Sequence, residues 1–374
     1  MSEKIRKELF AGVSSAVVKV GTNVLTDDNG RLDHGLIGDL AGQIAVLLKR
    51  GLKLAVVSSG AIGAGMDALK MTRRPDDLPR LQACAAIGQA RLIHVFDQAL
   101  SRHGFHAAQI LITRDDFEHR SRYLNIRHCI GALQQMGAVP ILNENDTVSV
   151  DEIRYGDNDI IAALVTHNLR ADALVLLSVV EGLYRDKARG DLIDVVETID
   201  GRLTSLIDGS RSRSGTGGMG SKLESARTVT QSGEAAVMAC GRRRNVLVDL
   251  FDGKKVGTLF LPTPCRMTSR KRWLAFSARS RGKVTVDAGA VRALVEGGKS
   301  LLAGGITQVA GDFEAGDVVA IVDDQGREIA RGLANYDAES LRKIRGCKSS
   351  QFKAILGSRP YDEVIHRDNL VLRS

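Results

Sequence analysis

The chain has 374 residues, more than one ordinary domain holds, and 44% of them are apolar, enough to bury a sizeable core. Aromatics make up only 4% while glycines number 39, the balance of an Ala/Val/Leu/Gly-rich α/β protein with many tight turns. The five cysteines (Cys84, Cys129, Cys240, Cys265, Cys347) are odd in number and sit at no metal-ligand spacing, which argues against a disulfide scaffold or a zinc site, and no apolar run reaches membrane-spanning length. The formal charge of +8 suits anionic partners such as nucleotides, acidic metabolites or RNA, and equally suits plain solubility.

Met1–Gly12 lacks the apolar core of a signal peptide and reads as a frayed or weakly helical leader, so a reducing cytoplasm is expected. Ser15–Val20 is a short apolar run, a buried strand. Helical periodicity covers Leu36–Arg50 and stops at Gly51; a second strand, Leu52–Val57, runs into the small-residue stretch Ser58–Gly65. A long helix, Leu81–His103, closes at Gly104, and the strand His106–Leu111 follows. Next come the helix Tyr123–Met136 with Gly137 as cap, the strand Ala138–Leu142, the helix Asp159–Arg170 and the strand Ala173–Ser178. Such alternation predicts a mainly parallel sheet sandwiched by helices, with functional groups gathered beyond the carboxyl ends of the strands. Composition changes after Leu261-Pro262-Thr263-Pro264. The basic stretch Arg266–Arg281 reads as a linker plus an edge element, and the short runs from Gly282 onward as a small β-barrel with one or two helices. The expected organisation is therefore a catalytic domain over 1–265, a linker over 266–281 and a barrel with tail over 282–374.

Four segments carry chemistry. Lys19 ends a buried strand and Gly21 follows it, pairing a fixed ammonium with backbone that a phosphate can approach. The Ser58–Gly65 run opens a helix with several exposed N–H groups, suited to carboxylate or phosphate, or to close helix–strand packing. Asn143-Glu144-Asn145-Asp146-Thr147 and Gly156-Asp157-Asn158-Asp159 flank one loop. One such cluster is ordinary turn chemistry; two at one sheet edge could receive a substrate amine, donate to a carboxylate or hold lysines in place. Thr216-Gly217-Gly218-Met219-Gly220-Ser221-Lys222 is an anion-binding nest leading into a helix from Ser221, with a lysine placed to clamp β- and γ-phosphates. The Ser58–Gly65 run is neither G-x-G-x-x-G nor G-x-x-x-x-G-K-[ST], so it supports neither a dinucleotide fold nor a Walker-type loop.

Taken in order and spacing, Lys19–Thr22, Val57–Ile62, Asn143–Asp146, Gly156–Asp159 and Thr216–Met219 resemble the amino acid kinase family over roughly Val17–Pro262, and Gly282 to about Pro360 resembles a PUA domain. The resemblance implies transfer of a phosphoryl group from ATP, carried with Mg2+, to the γ-carboxylate of L-glutamate, the step that opens proline biosynthesis. It implies that Lys19 and Lys222 neutralise the transferring group while Asp159 holds them, and that Ser59, Asp146 and Asn158 bind glutamate. Nucleotide contacts would come from Lys19, Gly21, Ser178, Val179 and Thr216 to Lys222. Family members often carry Thr-Asp where this chain has Ser178-Val179, and Ser where it has Gly220. Also implied are feedback inhibition by proline, a homodimer or homotetramer, and a functional link to glutamyl-phosphate reductase; no residue is named as a ligand of Mg2+. The alternatives are a sibling kinase with another acidic substrate, an RNA-binding protein working through the basic linker and barrel, and a regulatory homologue without activity.

Overall fold

The computed structural model describes all residues except 1, 28–29, 149–157, 187–189, 201–202, 204–217, 265–266, 358–359 and 374. The chain divides into two compact units: Met1–Phe117 with Ser121–Arg266, and Glu118–Arg120 with Met267–Ser374.

The first unit is organised around β1 (Ser15–Val20), five of whose six residues are buried. Near-continuous Val/Ile/Leu/Ala runs, not alternating ones, mark strands covered on both faces. They recur in β2 (Lys53–Ser58), β4 (Ala138–Glu144), β5 (Ala173–Ser178) and β9 (Ala235–Cys240). With β3 (His106–Ile112), β8 (Val195–Val196) and β10 (Thr258–Phe260) they form an eight-stranded sheet in the order β3-β4-β2-β1-β5-β9-β10-β8. All pairs from β3 through β9 are parallel, and β10 runs antiparallel to β9. A short hairpin, β6 (Tyr184–Asp186) with β7 (Asp191–Leu192), stands apart. The chain moves from β1 to β2 on one side and later to β5 on the other, so the strand order reverses at β1, where open α/β sheets bind their ligands.

Helix ends follow their capping residues. Asp33 accepts from the Leu36 N–H at the start of His34–Lys49, and Asp77 from the Arg80 N–H at the start of Leu78–Ser101. Gly51 and Gly104 end those two segments with φ of 90° and 85°. The Leu78–Ser101 helix crosses the Ala61–Ala68 helix backbone to backbone: a Cβ on Gly88 would lie 1.8 Å from the Ala61 carbonyl oxygen, and one on Gly65 1.9 Å from that of Cys84.

Two expectations are corrected. The leader is not frayed: Ser2–Ala11 is a helix whose Arg6 is fully buried. The Arg6 guanidinium donates to the carbonyls of Val256, Asp194 and Gly257 and to Asp194 Oδ1 at 2.8–2.9 Å, and Phe10 packs edge-on against Phe251. One apolar face with a single well-partnered cation docks the segment, although its propensity is modest. The basic stretch after Arg266 is likewise not an extended connection. Ser269–Arg272 is helical, Trp273–Ser277 continues as a π-turn, and Arg272 and Trp273 are buried.

In the second unit, the small β module expected after Gly282 is a five-stranded mixed sheet in the order β12-β11-β13-β14-β15. Its strands are β11 (Gly282–Val286), β12 (Ile306–Gly311), β13 (Val318–Val322), β14 (Glu328–Leu333) and β15 (Leu370–Leu372). Its core gathers Val284, Val319, Ile321, Leu341, Phe352 and Val364 with residues of the helices Ala288–Val295 and Ala338–Ile344.

Gly88→Ala should destabilise the first unit by about 3 kcal/mol, because neither backbone at the crossing can yield. For a domain this size that is a Tm fall of roughly 6 °C or more in a thermal melt. Gly51→Ala, in open space at positive φ, should cost only about 1 kcal/mol.

Candidate active site

Lys19 is the one charged side chain in β1 and is only 5% exposed. Its position is set by register, Lys19 opposite Leu176 of β5 and Val57 of β2, at the carboxyl end of the central strand. The Gly21 N–H donates to the Leu177 carbonyl, which turns the chain close beneath the Lys19 ammonium: a Cβ on Gly21 would lie 3.7 Å from Lys19 Nζ.

Opposite stands the Asn158–Leu169 helix, almost wholly buried, with Asn158 and Asp159 in its first turn. Asp159 is fully buried. Its Oδ1 lies 2.7 Å from Lys19 Nζ and its Oδ2 3.0 Å from Lys222 Nζ. Ser221 Oγ also donates to Asp159 Oδ2, at 3.0 Å. Lys222 is 7% exposed and sits in the Met219–Gln231 helix, which starts two residues earlier than expected. Burial, the largest influence, pushes the Asp159 pKa up, but the charges and hydrogen bonds of Lys19 and Lys222 together hold it below the ordinary carboxylate range. Two ammonium groups thus share one buried carboxylate, which holds both at the carboxyl end of the central strand.

Beyond β2 and β4 lies a second, neutral cluster. Asn158 Nδ2 donates to the Ser58 carbonyl at 3.1 Å, to Ser59 Oγ at 2.8 Å and to Asn143 Oδ1 at 3.1 Å. Asn158 Oδ1 is buried and has no hydrogen-bond partner among the described residues. Asp146, 7% exposed, follows β4. Gly60 turns the chain from β2 into the Ala61–Ala68 helix with φ of 101°, a conformation glycine adopts without strain.

The structure therefore brings Lys19, Asp159, Ser221 and Lys222 together, and Ser59 with Asn158. Gly218 stands at the cap of the lysine-bearing helix, followed by Met219 and the exposed Gly220. Thr216 and Gly217 lie outside the described residues, as do Gly156 and Asp157. Ser178 ends β5 and Val179 projects 48% exposed at the same sheet edge, where the Cys240 thiol meets the Val179 carbonyl. Among the described residues no three His, Cys, Asp or Glu side chains cluster as a metal site, and none of their helices is long and apolar enough to cross a membrane.

Sequence reasoning missed three contributors. The Ser221 hydroxyl bond to Asp159 depends on a helix start that the glycines obscured. Arg242 donates to the carbonyls of Asn23 and Thr26, tying the chain after β9 to the turn that follows Lys19. Gln89 accepts from Asn143 Nδ2 at 2.8 Å. Its one signal was a polar residue on the apolar face of a long helix, between Ala85 and Leu92.

Residues 15–239 match the model of the amino acid kinase family, and residues 282–356 match the PUA domain. A protein of Caldanaerobacter subterraneus named glutamate 5-kinase is 47% identical over 360 residues, covering 95% of this chain and 97% of its own. One of Pelobacter propionicus with the same name is 42% identical over 372 residues, covering 98% and 100%. The solved carbamate kinase of Giardia lamblia, bound to AMP-PNP, aligns with a TM-score of 0.50 at 18% identity over 68% of this chain and 100% of its own, a likeness of fold alone. By sequence, fold and the placement of its lysines, the chain belongs to the amino acid kinase family, with a PUA domain after the catalytic unit.

Proposed function

We infer that the chain transfers the γ-phosphoryl group of ATP to the γ-carboxylate of L-glutamate, giving ADP and L-glutamyl 5-phosphate, the first step of proline biosynthesis. The carrying observation is the buried Lys19–Asp159–Lys222 triad, two ammonium groups brought to one point, set beside a pocket of amides. The full-length relatives named glutamate 5-kinase support the choice of acceptor.

The residues divide the work. A γ-carboxylate oxygen attacks the γ-phosphorus as the bond to the β,γ-bridging oxygen breaks. The acceptor is ionised at neutral pH, since its ordinary pKa is about 4.3, so no general base is required. Lys19 and Lys222 reach the equatorial oxygens of the migrating group from two sides, and Asp159 keeps both aimed without cancelling them. Ser59, whose oxygen already accepts from Asn158, has its O–H to give to a substrate carboxylate. Asn158 Oδ1 and Asp146 suit the α-ammonium. Gly21, Ser178, Val179 and the Thr216–Lys222 segment, including Gly217, Gly218, Met219, Gly220 and Ser221, form the nucleotide side. Mg2+ enters with ATP as part of the substrate, held by phosphate oxygens and neutralising their charge, since both Asp159 oxygens are engaged by lysines.

Further proposals attach to this reading. Proline carries an ammonium and carboxylate of the same kind as glutamate, so it fits as a feedback inhibitor at the same pocket. The acyl phosphate is short-lived in water, which favours handover to glutamyl-phosphate reductase. The sheet edge at β3, with Leu111 exposed, suits a homodimer or homotetramer. A cytoplasmic location is in keeping with the described cysteines, which are free thiols. RNA binding by the PUA domain with the basic stretch before it is the second reading, in keeping with the chain's formal charge of +8, and filter binding at rising salt would test it.

Glutamate-dependent ADP release with hydroxylamine trapping of the acyl phosphate tests the activity; no hydroxamate with glutamate present would overturn it. Lys222→Ala should lower kcat about a hundredfold or more while the protein stays folded. The lowered Asp159 pKa favours its ionised form in the folded protein, so the triad's charges persist through the ordinary carboxylate range and are lost only as pH falls below it. The pH profile of kcat should accordingly show no Asp159 limb between about pH 5.5 and 8.

A further inference from the structure

The amides behind the substrate pocket form a chain whose inner member is Gln89. This residue follows Gly88 on the Leu78–Ser101 helix, where that helix meets the backbone of Ala61 and Gly65. Its Oε1 accepts from Asn143 Nδ2 at 2.8 Å; Asn143 Oδ1 accepts from the Glu144 N–H at 3.0 Å and from Asn158 Nδ2 at 3.1 Å. Backbone groups fix the sense of the chain, because an N–H can only donate and a carbonyl can only accept. The Glu144 N–H forces oxygen from Asn143, which turns the Asn143 nitrogen to Gln89. The Ser58 carbonyl forces nitrogen from Asn158, which leaves Asn158 Oδ1 outward. Amides that only fill a core end on paired atoms. This chain ends, among the described residues, on a buried unpartnered acceptor, Asn158 Oδ1, and a buried unpartnered donor, Gln89 Nε2.

We propose that Gln89 is a positioning residue for substrate selection: its Oε1 locks Asn143, and through Asn143 the orientation in which Asn158 presents an acceptor to the substrate's ammonium. The inference rests on the amino-acid substrate proposed above. Without the Gln89 oxygen, Asn143 Nδ2 is a buried donor with no partner, and the Asn143 amide must shift to find one. The shift weakens the contact between Asn143 Oδ1 and Asn158 Nδ2, so Asn158 Oδ1, still turned outward by the Ser58 carbonyl, is less well aimed at the ammonium. No charge is introduced and no atom of the phosphoryl-transfer triad is touched.

The test is Gln89→Met, which keeps volume and removes the hydrogen bond, with Gln89→Leu as the second variant should the first not fold. ADP release is measured against glutamate and against ATP, with a melt as control. The expected result is a KM for glutamate raised about tenfold or more, the scale of a lost hydrogen bond to a charged group, with the KM for ATP within about twofold. In the Asn158→Ala background the same substitution should add little, because the group it orients is gone. An unchanged KM for glutamate, additive effects of the two substitutions, or equal damage to both KM values with a lowered Tm would each overturn the role of Gln89 while leaving the kinase reading intact. A wild-type chain with no glutamate-dependent turnover would overturn the activity, and this inference with it.

Discussion

One carboxylate governs the site. Asp159 sits where no water shields it and engages an ammonium on each oxygen, so Lys19 from β1 and Lys222 from a helix more than two hundred residues later share one position. In water such a trio would be weakly held; in a low-dielectric interior each contact is strong and each absence costly. Two ammonium groups held this close on one carboxylate are what the proposed phosphoryl transfer requires.

The rest of the first unit supports this geometry. β1 is central and covered on both faces, so its end is a rigid mount. The Asn158–Leu169 helix is buried along nearly its whole length, which fixes Asn158 and Asp159 together: one faces the amides and the next faces the lysines. The glycine crossing at Gly65 and Gly88 brings the Leu78–Ser101 helix against the start of the Ala61–Ala68 helix, and so brings Gln89 within reach of Asn143. The proposed acceptor recognition and phosphoryl neutralisation thus fall on adjacent residues of one helix. Shifting that helix disturbs both, a physical reason for its close packing.

Much of this was legible in the chain. The strands Ser15–Val20 and Ala173–Ser178 end where their apolar runs end. The glycines at 51, 104 and 137 closed segments as their positive φ angles require. Less legible were the ends near function. β4 continues through Asn143 and Glu144 because neighbouring strand ladders override the turn preference of those residues. The Ser2–Ala11 helix carried little signal of its own, because the partners of Arg6 lie about 190 and 250 residues away. The basic stretch before β11, read as a linker plus an edge element, is helical with Arg272 buried.

The sequence by itself determined the alternation of strands and helices, the change of character after Pro264 and the identities of the lysines, Asp159 and Asn158. These follow from local periodicity, turn chemistry and residue type, which act over a few residues. Only the tertiary structure decided that both lysines meet on one carboxylate, that Ser221 joins them, and that Gln89 meets Asn143 in an amide chain reaching Asn158. Those facts depend on strand order, on helix crossings measured in fractions of an ångström, and on which hydrogen-bonding atoms find partners once water is excluded. None of these is encoded at any single position.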